Sequence, residues 1–179
     1  MSTKVHIDPA ANIAGWMTYR ELEWLAKQAK RHYNIVEIGS FMGRSTRALA
    51  DNTPGRVFAI DDFAGPRDKS LPSALADNLL EIFNGNLIDL IRAKKVITVV
   101  ADHRQLVIDT VPDMVFIDGS HDYTDVKYDI ELWLSKISKG GLICGHDFTN
   151  IPDVHQAVIE TIAKPKVAKG TSIWYARTK

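Results

Sequence analysis

Short β-branched runs alternate along the chain with segments whose apolar residues recur every three or four positions. That alternation predicts a parallel sheet covered by helices. The first helix is predicted from Thr18, where Thr18-Tyr-Arg-Glu21 reads as a capping box and Leu22, Leu25, Ala26 and Ala29 make one apolar stripe. Strands are predicted over 34–38, 56–60, 96–101, 114–117 and 142–145, with helices over 45–51 and 73–83, the latter resuming to 93. The clearest helical period is Val126, Ile130, Trp133, Leu134 and Ile137, which Gly140-Gly141 is expected to end. Pro152 marks the first turn of a further helix, with Val154, Val158, Ile159 and Ile162 as its buried face. The tail reads as two closing strands joined by a turn at Gly170. No repeat, low-complexity tract or linker interrupts this pattern, so one domain over 1–179 is expected, with 1–17 as a short N-terminal extension.

Composition narrows the function classes. The chain has 179 residues, 45% hydrophobic and 25% charged, which is enough to bury a core and is typical of a globular protein. Lys+Arg and Asp+Glu both number 22, so no global basic surplus exists to wrap a long nucleic acid, and extended nucleic-acid binding is not expected. The single cysteine, Cys144, lies in an apolar run and reads as a buried strand residue. The first residues carry no apolar leader and no run approaches membrane-spanning length, so a cytoplasmic protein without membrane contact is the expectation.

Polar residues gather at the C-terminal ends of the predicted strands: Glu37 with Gly39, Asp61-Asp62, Asp102-His103, Asp118 with His121, and His146-Asp147. In open α/β sheets ligands bind at that edge. Any one pair reads equally well as a solvated turn or helix cap; five at the same edge do not. The sharpest motif runs Glu37-Ile-Gly39-Ser40-Phe41-Met-Gly43-Arg-Ser45-Thr46. Gly39 permits a tight turn, and Gly43 is expected to let the backbone approach a ligand. A dinucleotide fingerprint needs a glycine where Phe41 stands, to admit a pyrophosphate. Phe41 therefore disfavours pyrophosphate, while Glu37 suits a ligand carrying a cationic amine.

This E-x-G-x-x-x-G arrangement resembles motif I of the class I S-adenosylmethionine-dependent methyltransferases. The stretch Val115-Phe-Ile-Asp118-Gly-Ser-His121-Asp-Tyr123, followed by Lys139-Gly-Gly-Leu-Ile-Cys-Gly-His146-Asp147-Phe148, is similar to a subfamily of small-molecule and sugar O-methyltransferases of the macrocin type. The resemblance spans about residues 34–148 and implies a Rossmann-like, doubly wound, mostly parallel seven-stranded sheet with an antiparallel C-terminal strand and helices on both faces. It also implies that Glu37, Gly39, Ser40, Gly43 and Ser45 line the methionine end of the cofactor. Asp61, with Asp62 as the alternative, would accept the ribose hydroxyls, since a carboxylate offers two oxygens to a vicinal diol. Asp102 and His103 hold the position of adenine contacts.

In metal-dependent relatives, carboxylates after the fourth and fifth strands hold a divalent cation, here Asp118 and Asp147 with His146 beside them. Two carboxylates on strands about 4.8 Å apart repel unless a cation or proton lies between them. Mg²⁺ is the oxygen-preferring expectation, whereas a histidine ligand tilts the site towards Mn, Fe or Zn. The alternative is that Asp118 contacts cofactor or substrate directly. His121, His146 and Asp118 are the catalytic candidates, the histidines as bases for a hydroxyl proton. Three rival readings are a catalytically silent S-adenosylmethionine-binding subunit, a nucleotide-dependent oxidoreductase, and a base-amino methyltransferase on nucleic acid, which Asp118-Gly-Ser-His121 disfavours because such enzymes usually carry Asn/Asp-Pro-Pro-aromatic there. The expected acceptor is a small molecule or sugar, with Trp16, Met17 and the loops at 63–71 and 148–152 as the places to look for its contacts. So short a lid implies an open site for a sizeable acceptor, or a homo-oligomer whose second copy completes the pocket.

Overall fold

The computed structural model describes residues 4–65, 72–101 and 109–179. Within them, α1 (Asp8–Ala11), α2 (Tyr19–Ala29), β1 (Asn34–Ile38), α3 (Arg44–Ala50), β2 (Arg56–Asp61), α4 (Ser73–Ala76), α5 (Leu79–Asn86), α6 (Ile88–Arg92) and β3 (Val96–Val100) form the first half. The second half is β4 (Met114–Ile117), α7 (Tyr123–Lys136), β5 (Leu142–Gly145), α8 (Pro152–Thr161), β6 (Lys166–Val167) and β7 (Trp174–Arg177). The seven strands lie in the order β3-β2-β1-β4-β5-β7-β6. The first five pair in parallel, and β7 runs antiparallel to both β5 and β6. The doubly wound, seven-stranded sheet expected from the sequence is the one observed.

Strand alternation divides the core in two, because successive side chains point to opposite faces. Ile35, Met114, Phe116, Leu142 and Cys144 pack under α1, α2, α3, α5 and α6. Val36, Ile38, Val115, Ile117 and Ile143 pack under α7 and α8. Both faces are therefore covered, as a parallel sheet requires.

The capping box forms as predicted: Thr18 Oγ1 accepts from the Glu21 amide at 3.4 Å, and Glu21 Oε2 accepts from the Thr18 amide at 2.8 Å. Pro152 sits in the first turn of α8, also as predicted. Other details differ. Residues 1–17 are not a bare extension, since α1 lies within them and Ile7, Ala10, Ile13 and Met17 are buried. The helix expected over 73–83 and onward is broken into α4, α5 and α6, with Leu87 serving both as the end of one and the start of the next. α7 stops at Lys136 because Ile137 is already extended, at ψ 146°. Gly140, at φ +75°, belongs to the return into β5 rather than to the helix end. Ile159 is 51% exposed, and Ala157 takes the buried position expected of it. No helix among the described residues is long and apolar enough to cross a membrane.

Candidate active site

The connections leave β1 and β4 in opposite directions, so the crevice outside their C-terminal ends is the switch point of the sheet. Register fixes what meets there. Ile38 pairs with Ile60 on one side and Ile117 on the other, and Ile117 pairs with Gly145. Asp61, Gly39, Asp118 and His146 consequently follow one another along a single edge.

The turn after β1 uses three left-handed residues, Gly39 (φ +83°), Phe41 (φ +48°) and Gly43 (φ +91°). At Gly39 a Cβ would lie 2.2 Å from the Asp118 carbonyl oxygen, so only glycine lets β1 and β4 part this closely. At Gly43 a Cβ would lie 2.8 Å from Leu87 Cδ1 and 3.2 Å from Phe83 Cδ2. The side of Gly43 that a side chain would take is thus filled by Phe83 of α5 and by Leu87 beyond it.

Glu37 is fully buried beneath the turn. Its Oε2 accepts from Ser40 Oγ at 3.0 Å and from Thr46 Oγ1, with the Ser45 hydroxyl also supporting the carboxylate. Its Oε1 has no partner. Burial pushes Glu37 up to about 7 against the pull of the three hydroxyls. Ser40 and Ser45 therefore serve Glu37 rather than opening onto solvent. Thr46, not singled out in the sequence, does the same.

Asp61 faces the turn. Its two oxygens accept from the amides of Phe41, at 2.8 Å, and Phe63, at 2.7 Å. Burial raises its pKa and the two amides oppose the rise. Asp62 is exposed and accepts instead from the Ala64 amide at 2.9 Å, a local turn of its own loop. Asp102 and His103 lie outside the described residues.

Past β4 and β5 the structure brings together Asp118, His121, His146 and Asp147. His121 Nε2 and His146 Nδ1 lie 3.1 and 3.2 Å from the same oxygen, Asp147 Oδ2. His146 Nδ1 is also 3.6 Å from Asp118 Oδ1. Asp147 holds this place at φ +60°, a left-handed conformation rare outside glycine, and Asn150 Nδ2 donates to its other oxygen at 3.3 Å. Burial, with Asp147 and Glu37 nearby, pushes Asp118 up to about 7 despite the two histidines. Burial also disfavours the Asp147 anion, but the two imidazoles outweigh it and hold Asp147 well below the usual carboxylate range. His121 is raised by its bond to Asp147. His146 is raised to about 10, because Asp147 and Glu21 overcome the penalty of burial.

One ligand atom each from Asp118, His121 and Asp147 lie within 4.8 Å of one another, a spacing that fits a divalent cation. The trio expected from the sequence had His146 in place of His121. The structure turns His146 away: its Nε2 lies 3.2 Å from Glu21 Oε1, and its Nδ1 is engaged by the aspartates. His121, on the loop before α7, takes the outward position. Adjacency to Asp147 makes His146 the candidate in the sequence, but the contact of its Nε2 with Glu21, a residue distant in the chain, keeps the ring inside the fold.

A family model described as "Methyltransferase domain" matches residues 36–148, more than half of the chain, and the chain belongs to that family. It is 25% identical over 140 residues to "Uncharacterized protein y4gI" of Sinorhizobium fredii; the match takes in 75% of this chain and 15% of that relative's length. Among solved structures, a SAM-dependent O-methyltransferase from Thermotoga maritima superposes with a TM-score of 0.69 at 16% identity, covering 96% of this chain and 70% of the other. An O-methyltransferase from Bacillus cereus, in complex with SAH, gives 0.66 at 18% identity, covering 95% and 86%. The chain carries the methyltransferase domain of that family, with the fold of those two structures.

Proposed function

We propose that the chain transfers the methyl group of S-adenosylmethionine to a hydroxyl of a small molecule or sugar, with a divalent cation at the acceptor side of the site. The observation that carries this reading is the juxtaposition, across the Gly39–Asp118 contact, of a donor half and an acceptor half. In the donor half, the unpartnered Glu37 Oε1 offers a buried acceptor to the cofactor's ammonium. Asp61 faces the same turn, and each of its oxygens retains a lone pair for a ribose hydroxyl beside the amide it already accepts. Asp102 and His103 keep the adenine position given by the family likeness.

In the acceptor half, Asp118, His121 and Asp147 would hold the cation, which supplies orientation and a lowered hydroxyl pKa when bound. With the cation bound, the lowered hydroxyl pKa makes a strong base unnecessary; Asp118, 19% exposed at its side chain and raised by burial, can take the hydroxyl proton only when it is not a ligand. The acceptor oxygen forms the new O–CH₃ bond as the S–CH₃ bond breaks, and the bonding pair stays on sulfur, discharging the sulfonium. The protein's work is mainly alignment of oxygen, methyl and sulfur. His146, enclosed by carboxylates on both sides, is less suited to exchange protons than the open-rim His121 and Asp118.

Calorimetric titration with S-adenosylhomocysteine, with and without a chelator and against NAD, tests the reading. Micromolar binding of the homocysteine product, no NAD binding, and methyl transfer to hydroxyl acceptors that a chelator stops are the expected results. NAD binding more tightly than S-adenosylhomocysteine would overturn it.

A further inference from the structure

Glu21 lies outside the family-matched segment, and in the sequence it reads as a helix cap. The structure gives that role to only one of its oxygens. Oε2 accepts from the Thr18 amide and hydroxyl, both at 2.8 Å. Oε1 points the other way, accepting from Ser172 N at 3.0 Å and Ser172 Oγ at 3.1 Å and lying 3.2 Å from His146 Nε2, a buried charge contact rather than a hydrogen bond. Glu21, Ser172 and His146 are all buried. A helix cap needs no burial and no histidine, and an ion pair removed from water costs desolvation that its own attraction need not repay.

What it is used for follows from the other ring nitrogen. With Nε2 held against Glu21, His146 Nδ1 is aimed at Asp147 Oδ2, and through that oxygen at His121. Asp147 must be held, because its backbone is in a left-handed conformation that an aspartate adopts at a cost. An imidazole fixed on one nitrogen by a carboxylate presents the other in a set orientation, the arrangement by which outer partners aim metal-binding groups.

We infer that Glu21 is a positioning residue for the acceptor half of the site, acting through His146 to fix Asp147 and, beyond it, His121. This rests on the proposed cation site, but its test does not depend on it. Two signals are read in the intact protein: the ¹⁵N resonances of the His121 ring, assigned with an H121N variant, and the affinity for Mn²⁺ added alone, followed by loss of its paramagnetic resonance signal. Glu21→Gln keeps the shape and an acceptor for Thr18 but removes the charge facing His146. Thr18→Ala removes the cap and leaves the His146 contact intact.

The expected result is that E21Q moves the His121 resonances and weakens Mn²⁺ binding at least about fivefold, while T18A lowers the Tm and leaves both signals in place. If E21Q behaves as T18A does, Glu21 is a helix cap and nothing more, and the inference falls. Should the wild-type protein bind no Mn²⁺, the cation reading fails by itself, and the His121 resonances still decide the role of Glu21. If E21Q does not fold, Glu21→Asp, which shortens the reach to His146 while keeping the charge, gives the same two signals.

Discussion

The amide of Phe41 donates to Asp61 Oδ2 at 2.8 Å although Phe41, at φ +48°, lies where glycine is usually required. The amide of Phe63, at φ +53°, does the same to Oδ1. One carboxylate therefore holds two strained residues, one on the turn after β1 and one on the loop after β2. Asp61 shapes the turn before any ligand reaches it.

Asp61→Ala should accordingly damage both fold and binding. Two part-buried amides lose their acceptor, which costs about 1–3 kcal/mol for each group left unsatisfied. Denaturant unfolding should register a loss of that order, and calorimetry a fall in S-adenosylhomocysteine affinity of at least about tenfold, or ~1.4 kcal/mol. Asp62→Ala, exposed and bonded only within its own loop, should change stability by less than about 0.5 kcal/mol. Equal effects at the two positions would contradict the assignment of Asp61.

Glu37 makes binding and stability depend on pH. Its folded-state pKa of about 7 stands above its ordinary 4.5, so the folded chain holds a proton that the unfolded chain gives up. The associated stability is fully present below pH 4.5 and is lost as pH rises through 7, by up to about 3 kcal/mol. Glu37→Gln should flatten the stability profile across that window. A cofactor ammonium at Oε1 would ionise the carboxyl, so S-adenosylhomocysteine binding at pH 6 should release close to one proton. Calorimetry in two buffers of different ionisation enthalpy measures this, and wild type and E37Q releasing the same number of protons would count against the contact.

If Asp118, His121 and Asp147 hold a cation as proposed, the set should favour a transition metal over Mg²⁺. Mn²⁺ should bind at least about tenfold more tightly than Mg²⁺, since one donor is an imidazole. Asp118→Ala and Asp147→Ala should each abolish turnover and Mn²⁺ binding, and leave S-adenosylhomocysteine affinity within a few-fold. Unchanged turnover in either variant would remove that residue from the mechanism.

Arg44, the first residue of α3, ties the N-terminal segment to the cofactor turn. Its guanidinium donates to the carbonyls of Met17 at 3.0 Å, Ala11 at 2.8 Å and Ile13. The segment carries Trp16, 69% exposed, whose ring lies 4.9 Å from that of Phe41. Arg44→Ala should cost about 1.5–3 kcal/mol, as charged hydrogen bonds do. It should also shift Trp16 fluorescence to the red, a shift absent when W16F is combined with R44A. An unaltered emission spectrum would show that Trp16 keeps its place without Arg44.

The sheet and the edge on which the site lies could be read from the chain because both depend on local signals. Apolar runs with acidic ends marked β1, β2, β4 and β5, Thr18 and Glu21 marked the start of α2, and Pro152 that of α8. What escaped depends on contacts distant in sequence. The four residues of α1 are too few to show a period, and only the burial of Ala10, with Ile7 and Ile13 on either side, reveals its place in the core. The exchange of His121 for His146 follows from Glu21, which occupies His146 from across the molecule. The glycine at Gly43 is explained by Leu87 and Phe83, which no local pattern connects to it.

The bond between Glu21 and Ser172 spans 151 positions of sequence, and β7 enters the sheet between β5 and β6 as its last strand. During synthesis the donor turn can take shape once the first two strands have emerged. Glu21 does not gain its Ser172 donors, and so its full set of contacts beside His146, until the segment around Ser172 has left the ribosome and closed that long loop. A nascent or C-terminally clipped chain should therefore hold an early cofactor cradle without a competent acceptor side, so that chemistry is withheld until the last strand docks.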